Sequence, residues 1–219
     1  MTEKHTMTTT TSKAAPTTES RTKIFQMISA GLFVALVAAG SKLSIPFWPV
    51  PMTMQSLFVL LAGFLLSART AFLAMVVYVL IGLMGFPVFA RGGGPGYIMQ
   101  PTFGYLLGYI IAAWLVARMV HGKREFSSFA EVSTHLRRVK MPQVLNAGLA
   151  GTLAVFLPGV LYLYFWMQLF GADPNQQSTF LTILYSGAIV FLPGAIGKLA
   201  GIYFIIRVIA QKERDLDAA

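Results

Sequence analysis

Long apolar runs alternate with short polar segments along the chain. Runs long enough to cross the roughly 30 Å hydrocarbon core of a bilayer as helices cover residues 24–43, 53–67, 70–90, 101–120 and 144–168. A last apolar region, about 178–210, is too long for one straight crossing. The segment FLPGAIGKLAG interrupts it, and a proline–glycine pair breaks or kinks a helix. The pattern therefore predicts a short outer segment near 178–190 and a sixth span over 191–210.

Composition supports this interpretation. The 219 residues are 56% hydrophobic and only 11% charged, whereas a soluble domain averages about 25% charged residues. We therefore predict an all-α membrane protein, a bundle of six transmembrane helices over residues 23–211. Residues 1–22 are threonine-rich and polar and are predicted to be a disordered tail, and residues 212–219 a second polar tail.

The basic residues define a predicted topology. All but three of the 17 lysines and arginines fall in the tails or in the loops on one side of a six-span arrangement. The exceptions are Lys42, Arg91 and Lys198. Basic residues concentrate on the cytoplasmic side of membrane proteins, so both termini are predicted to be cytoplasmic and Arg91 to lie on the outer side.

Several classes of function find no support in the residues. No aspartate, glutamate or histidine falls inside a predicted span, so a proton relay through the membrane has no candidate groups. The chain has no cysteine, and it lacks the GxxxxGK[ST] loop that holds nucleotide phosphates. We therefore expect no catalytic residues, no metal site and no cofactor. A structural subunit and a binding protein energised by a partner both remain open.

Two parts of the chain carry candidate binding residues. Lys198 lies about seven residues into the sixth span, where an ammonium either faces a ligand or snorkels to the interface. The proline-rich connection SIPFWPVPMTMQS contains Trp48, Thr53 and Gln55. Their alternative roles are interfacial anchoring for Trp48 and helix capping for the other two.

The loop ARGGGPGY provides the third candidate site. Its glycines allow close backbone approach to a ligand, and Arg91 offers a forked donor suited to a carboxylate. A lipid phosphate is the alternative partner of this arginine. As a hypothesis, the loop is an outer lid that presents Arg91 and Tyr97 to a ligand.

The order of motifs VPxTxQ, GxPVFA, PTxGYLxGY and PGxxxK, over about residues 24–210, closely resembles the BioY family. That family is the biotin-specific S component of energy-coupling-factor (ECF) transporters. The resemblance implies six membrane helices, an outward-facing biotin pocket and a location in the bacterial plasma membrane. It also implies a transmembrane coupling subunit and two ATPase subunits as partners.

Individual residues follow from the resemblance. Lys198 matches the lysine of the family's PGDLIK-like motif, but Ala195 stands where that motif has an acid. Thr53, Gln55, Tyr97 and Gln100 are possible substitutes for its hydrogen bonds, and Tyr105 of the PTxGYLxGY motif is a further candidate.

A stripe of small residues on the first helix, Gly31, Ala35 and Ala39, is implied to meet the coupling subunit. Such a stripe lets helices approach closely, so packing within the bundle is its alternative role. For the whole chain, an S component for another vitamin and a membrane-embedded lipid-modifying enzyme remain alternatives to biotin uptake.

Overall fold

The computed structural model describes residues 18–46, 50–170 and 180–217. These residues form eight helices, joined by one short ribbon and two 3-10 turns. The helices are α1 (Thr18–Lys42), α2 (Gln55–Leu65), α3 (Ala68–Leu83), α4 (Phe103–His121), α5 (Phe129–Arg138), α6 (Met141–Phe170), α7 (Phe180–Gly187) and α8 (Leu192–Asp217). Strands β1 (Ser44–Ile45) and β2 (Met52–Thr53) pair antiparallel, and the 3-10 turns cover Pro95–Met99 and Ile189–Phe191.

Four helical segments within the described residues are long and apolar enough to cross a membrane: Glu19–Lys42, Phe103–His121, Met141–Phe170 and Phe180–Ile209. Helices α2 and α3 are apolar but shorter. Large apolar side chains at every fourth position of α6 form an exposed ridge: Leu145, Leu149, Leu153, Leu157, Leu161, Phe165 and Leu169. In water such a ridge would be costly, whereas lipid chains solvate it well. The outer surface is therefore that of a membrane protein.

Helices α4 and α6 form the most extensive interhelical contact, and glycine makes it possible. An added Cβ at Gly104 would lie 2.6 Å from the Pro158 carbonyl oxygen, and one at Gly108 would lie 2.7 Å from the Val155 carbonyl oxygen. Small residues four apart on one helix let two backbones approach in this way. Helix α6 continues through Pro158.

The last apolar region is divided, but not at the proline. Helix α7 ends at Gly187, the 3-10 turn Ile189–Phe191 follows, and α8 then runs unbroken through Pro193 and Gly194. The break therefore falls at the predicted boundary between residues 178–190 and 191–210, but the 3-10 turn forms it and the proline–glycine pair does not. Pro193 lies in the first turn of α8, where the missing N–H would have no helical acceptor in any case.

Helix boundaries differ from the predicted ones at the ends of the chain. Helix α1 begins at Thr18, inside the predicted tail 1–22, and Lys23 pairs with Glu19 at 2.6 Å across its first turns. Helix α8 extends to Asp217, inside the predicted tail 212–219. Hydropathy marks where a helix leaves the membrane, whereas the helix itself can continue into water. Residues 1–17 lie outside the described part of the chain.

Helix α5 was not predicted. It lies in the basic segment between α4 and α6 and buries Val132 and Leu136. Ser128 accepts a hydrogen bond from the Glu131 N–H and so caps the first turn, which is a common signal for helix initiation.

The bundle has two chemically different ends. At the basic end, four parts of the chain meet: the start of α1, the α2–α3 turn, the end of α4, and α5. Gln26 donates a hydrogen bond to Glu125, and His121 Nε2 forms a hydrogen bond with the Phe64 carbonyl oxygen at 2.9 Å. The opposite end carries the β1–β2 ribbon and the loop between α3 and α4, and we call it the ribbon end.

Candidate functional site

A cavity opens toward the ribbon end between α2, α4, α6 and α8. The space between its walls, including the part open to solvent, is about 810 Å³. The polar groups on its walls are Thr53, Gln55, Ser56, Tyr97, Thr102, Tyr105, Tyr109, Thr152 and Lys198. The remaining wall is apolar and includes Leu60, Leu106, Val155, Phe156 and Phe191. A mainly apolar pocket with a few placed polar groups is typical of sites for small organic ligands.

Lys198 supplies the cavity's positive charge. Its stem is half-buried on α8, and its Nζ donates to the Thr53 carbonyl oxygen at 2.6 Å and to Ser56 Oγ at 2.8 Å. These bonds hold the ammonium inside the bundle, against the start of α2, so snorkelling does not describe its position. An ammonium has three N–H donors, and the third is available to a ligand.

A chain of hydrogen bonds orients Gln55. Thr53 Oγ1 donates to Gln55 Oε1 at 3.1 Å, Gln55 Nε2 donates to the Tyr78 hydroxyl at 2.6 Å, and that hydroxyl donates to the Val88 carbonyl oxygen at 2.9 Å. Gln55 is 3% exposed and Tyr78 is fully buried. The amide keeps one N–H and one acceptor lone pair, so it can both donate to and accept from a ligand.

Tyrosines of α4 and the preceding loop form the opposite wall. The Tyr105 hydroxyl donates to the Gly187 carbonyl oxygen at 2.7 Å, which ties the end of α7 to α4. Thr102 donates to the Tyr97 hydroxyl at 3.2 Å, and the Tyr97 ring packs 4.5 Å from the Phe89 ring. Burial raises the pKa of the Tyr97 phenol above its ordinary value, so this wall stays uncharged at neutral pH.

The glycine-rich loop is folded tightly above the cavity. Gly92 and Gly94 have φ values of +110° and +105°, a region that residues with a Cβ rarely adopt. An added Cβ at Gly93 would lie 2.1 Å from the Phe86 carbonyl oxygen. The Gly94 N–H donates to the Gly82 carbonyl oxygen at 2.7 Å and so fixes the loop to the end of α3.

The structure brings together five of the eight predicted substrate-binding residues: Lys198, Thr53, Gln55, Tyr97 and Tyr105 all line the cavity. Arg91 is exposed on the loop, and Gln100 is half-buried outside the cavity wall. Arg91 was predicted as a forked donor for a carboxylate and Gln100 as a substitute for the missing acid; neither is among the described residues that line the cavity, and both roles stay predictions. Trp48 lies outside the described residues.

Ala195, which stands where the family motif has an acid, also lines the cavity. No aspartate or glutamate is present among the described lining residues. Ser56, Tyr109 and Thr152 line the cavity as well and were not predicted. Ser56 is the residue after the predicted Gln55, and Tyr109 lies one turn of α4 beyond Tyr105. Helical spacing from the predicted residues was the signal that could have identified Tyr109.

The small-residue stripe does not pack inside the bundle. Gly31, Ala35 and Ala39 are all exposed on one face of α1, and no atom of the described residues lies within 4 Å of a Cβ built on Gly31. The face is therefore open to lipid or to another protein. Within the described residues there is also no group of three side chains suited to holding a metal ion.

An apolar helix bundle with lipid-facing helices around a polar-lined cavity defines a membrane protein whose cavity suits a small solute. The chain belongs to the BioY family, whose model matches residues 8–215.

Relatives support this family membership. A biotin transporter of Thermotoga maritima is 36% identical over 65% of this chain and 76% of its own, and one of Rhodobacter capsulatus is 33% identical over 83% and 90%. A probable biotin transporter of Lysinibacillus sphaericus is 38% identical over 63% of this chain, and the match spans 64% of its own length. These relatives are transporters rather than enzymes.

A solved structure shares the fold. The crystal structure of the S component for biotin from an ECF-type ABC transporter matches with a TM-score of 0.67 at 21% identity. The match covers 86% of this chain and 92% of that one.

Proposed function

We propose that this protein is the S component of an ECF-type biotin uptake system and binds biotin in the cavity between α2, α4 and α8. The observation that carries the proposal is the placement of Lys198 and Gln55 on one wall of an otherwise largely apolar cavity. Biotin combines a polar ureido ring, an apolar ring edge and tail, and a carboxylate. The cavity offers a cation, an amide that both donates and accepts, and aromatic walls for the apolar parts. The names of the relatives point to the same ligand.

The decisive experiment is equilibrium binding. Purified protein in neutral detergent, titrated with biotin by calorimetry, should bind with a stoichiometry of one and release the ligand unchanged. Riboflavin, thiamine and folate serve as comparison ligands. A vitamin from this panel that binds more tightly than biotin would contradict the assignment, and so would consumption of a lipid substrate.

One observation favours a second candidate, an S component for another vitamin. Ala195 replaces the acid of the family motif, so the described cavity wall has no carboxylate to accept hydrogen bonds from the ureido N–H groups. The same titration distinguishes the two candidates. Replacing Ala195 with aspartate should tighten biotin binding if the ureido ring lies beside α8.

We further propose six membrane crossings with both termini in the cytoplasm of a bacterium, with α2 and α3 as short spans. The basic end, which holds Arg69, Arg118 and Arg124, would then face the cytoplasm, as the positive-inside rule favours. Because the chain has no cysteine, single cysteines introduced at Ser128 and Gly96 can be labelled cleanly in intact cells. An impermeant maleimide should label position 96 and spare position 128; the opposite result would invert the topology.

Energy for uptake is proposed to come from two ATPase subunits through a transmembrane coupling subunit that contacts the stripe Gly31, Ala35 and Ala39. The exposure of this stripe supports the role, since an unoccupied face of small residues allows close approach of another helix. Copurification of a tagged coupling subunit with this chain from cell membranes tests the assembly.

A further inference from the structure

A second groove lies at the basic end, far from the ribbon-end cavity. It runs between the start of α3 and the end of α4 and continues onto the loop that follows α4. Four cations line it, Arg69, Arg118, Lys123 and Arg124, together with a single carboxylate, that of Glu125.

The four cations are not neutralised within the protein. All four are exposed, and none forms an ion pair with a carboxylate among the residues whose side chains the structure describes. Glu125 accepts a hydrogen bond from the neutral amide of Gln26 and keeps its charge, so four cations and one carboxylate leave the groove with an excess of three positive charges. Positive charges that line one groove repel each other, and an anion bound among them would relieve that repulsion.

The guanidinium groups of Arg69 and Arg118 lie at the same end of two neighbouring helices. Arg69 lies in the first turn of α3 and Arg118 in the last turn of α4, and the two helices run antiparallel and in contact. A Cβ built on Gly122 would lie 3.9 Å from Arg118 Nη1. The Arg118 guanidinium is therefore close to the loop that carries Lys123 and Arg124.

Aromatic side chains lie one helical turn further from this end. Phe72 follows Arg69 by three positions and Trp114 precedes Arg118 by four, so each aromatic shares a helix face with an arginine. Both also line the groove, and each is 42% exposed. The groove is therefore cationic at its end and aromatic about 5 Å deeper.

This vertical order matches a phospholipid, whose phosphate lies at the membrane surface above its glycerol and acyl chains. We propose that the groove binds an anionic phospholipid, with the phosphate on Arg69, Arg118 and the Lys123–Arg124 loop and an acyl chain along Phe72 and Trp114. Arginine favours phosphate because its planar fork donates two parallel hydrogen bonds. A zwitterionic headgroup would bring an ammonium into the same cationic groove and is disfavoured. The inference requires the chain to be embedded in a membrane but does not depend on its transported ligand.

Binding can be measured on the full chain in neutral detergent by native mass spectrometry, titrating dioleoyl phosphatidylglycerol against dioleoyl phosphatidylcholine. The groove variant is Arg69→Gln/Arg118→Gln. The matched control is Arg138→Gln/Lys140→Gln, which removes the same charge from exposed positions at the same end but outside the groove. We expect the wild type to prefer phosphatidylglycerol. Its dissociation constant should rise at least about tenfold in the groove variant and less than about twofold in the control.

Three outcomes would overturn the proposal. Equal affinity for the two lipids would mean that acyl chains alone are recognised. Equal loss in both variants would mean diffuse surface attraction. Competition by free glycerophosphate at concentrations similar to the lipid would assign the groove to a soluble phosphate instead.

A second measurement uses the unmodified groove and so does not depend on folding of the variant. In phosphatidylcholine vesicles, a few mole per cent of phosphatidylglycerol with brominated chains should quench an indole emission component that is absent from Trp114→Phe. Brominated phosphatidylcholine at the same mole fraction should quench that component less than half as much. Equal quenching by the two lipids would mean that the groove does not discriminate the headgroup and would refute its assignment to an anionic phospholipid.

Discussion

Replacing Lys198 with methionine removes the charge from the cavity while keeping an unbranched apolar stem. In the structure, two of the three ammonium N–H bonds are directed to the Thr53 carbonyl oxygen and Ser56 Oγ, at 2.6 and 2.8 Å. The third can reach a ligand. Loss of one charge-assisted hydrogen bond costs about 1.5–3 kcal/mol, so the dissociation constant for biotin should rise about ten- to one-hundredfold.

Calorimetry in detergent measures this change, with biotin and biotin methyl ester as ligands. If Lys198 binds the carboxylate, the ester should bind weakly to the wild type, and the methionine variant should no longer distinguish the two ligands. If it binds the ureido oxygen, the variant should lose affinity equally for both. Lys42→Met is the matched control, because Lys42 donates to the Phe89 carbonyl oxygen at 3.1 Å and does not line the cavity. Wild-type affinity in Lys198→Met, or an equal loss in the control, would refute this role of Lys198.

Three further perturbations test other parts of the molecule. Ala35→Leu should leave biotin affinity within about twofold while reducing copurification of the coupling subunit, because bulk on the exposed stripe separates helices; full copurification would contradict this. Gly93→Ala should lower the melting temperature, since the new methyl would meet the Phe86 carbonyl oxygen at 2.1 Å, and an unchanged melting temperature would refute the close approach. Hydrogen bonds from the Ser127 hydroxyl and backbone N–H hold the pKa of Glu131 below its ordinary value. The ionised Glu131 carboxylate therefore stabilises α5 above its ordinary pKa, and this stabilisation is lost as the pH falls through the lowered pKa. Hydrogen exchange in α5 should accelerate relative to α6 at acid pH. If Glu131→Gln shows the same pH dependence as the wild type, the linkage is refuted.

Hydropathy predicted the four long apolar helical segments because lipid imposes a minimum length of apolar sequence, whereas α2 and α3 are shorter than the predicted spans 53–67 and 70–90. Helix α6 shows this, since its exposed leucine ridge continues past Pro158 without a break. The method failed where helices are stabilised by something other than lipid. Helix α5 was missed because only a few of its residues are buried. Ser128 followed by Glu131 three positions later is nevertheless a recognisable helix N-capping pattern in the sequence. The break before α8 falls at the predicted boundary near residue 190, but Pro193 does not cause it, because proline is compatible with the first turn of a helix.

Prediction of the cavity residues depended on how unusual each residue was in its segment. Lys198 was conspicuous as a charge in an apolar span and Thr53 as a polar residue after three prolines, but no local pattern pairs the two across 145 positions. Tyr109 and Ser56 resemble ordinary helix residues until α2, α4 and α8 are packed together. Arg91 differs from these residues, because its forked donor predicted a ligand contact but it is exposed and does not line the cavity, so that contact stays a prediction.

The absence of an acid at position 195 changes what the cavity prefers. An ammonium beside a carboxylate is already neutralised, whereas Lys198 contacts only a carbonyl oxygen and a hydroxyl among the described residues. Neither partner carries charge, so the cavity keeps a net positive charge at low polarity, where an anion is attracted strongly. Gln55 is held so that its amide still offers one donor and one acceptor, which are the two functions that a ureido group requires. Under the proposed function, the neutral amide of Gln55 on α2 would bind the ureido ring, and Lys198 would then remain for the carboxylate of the ligand, which the biotin methyl ester titration tests.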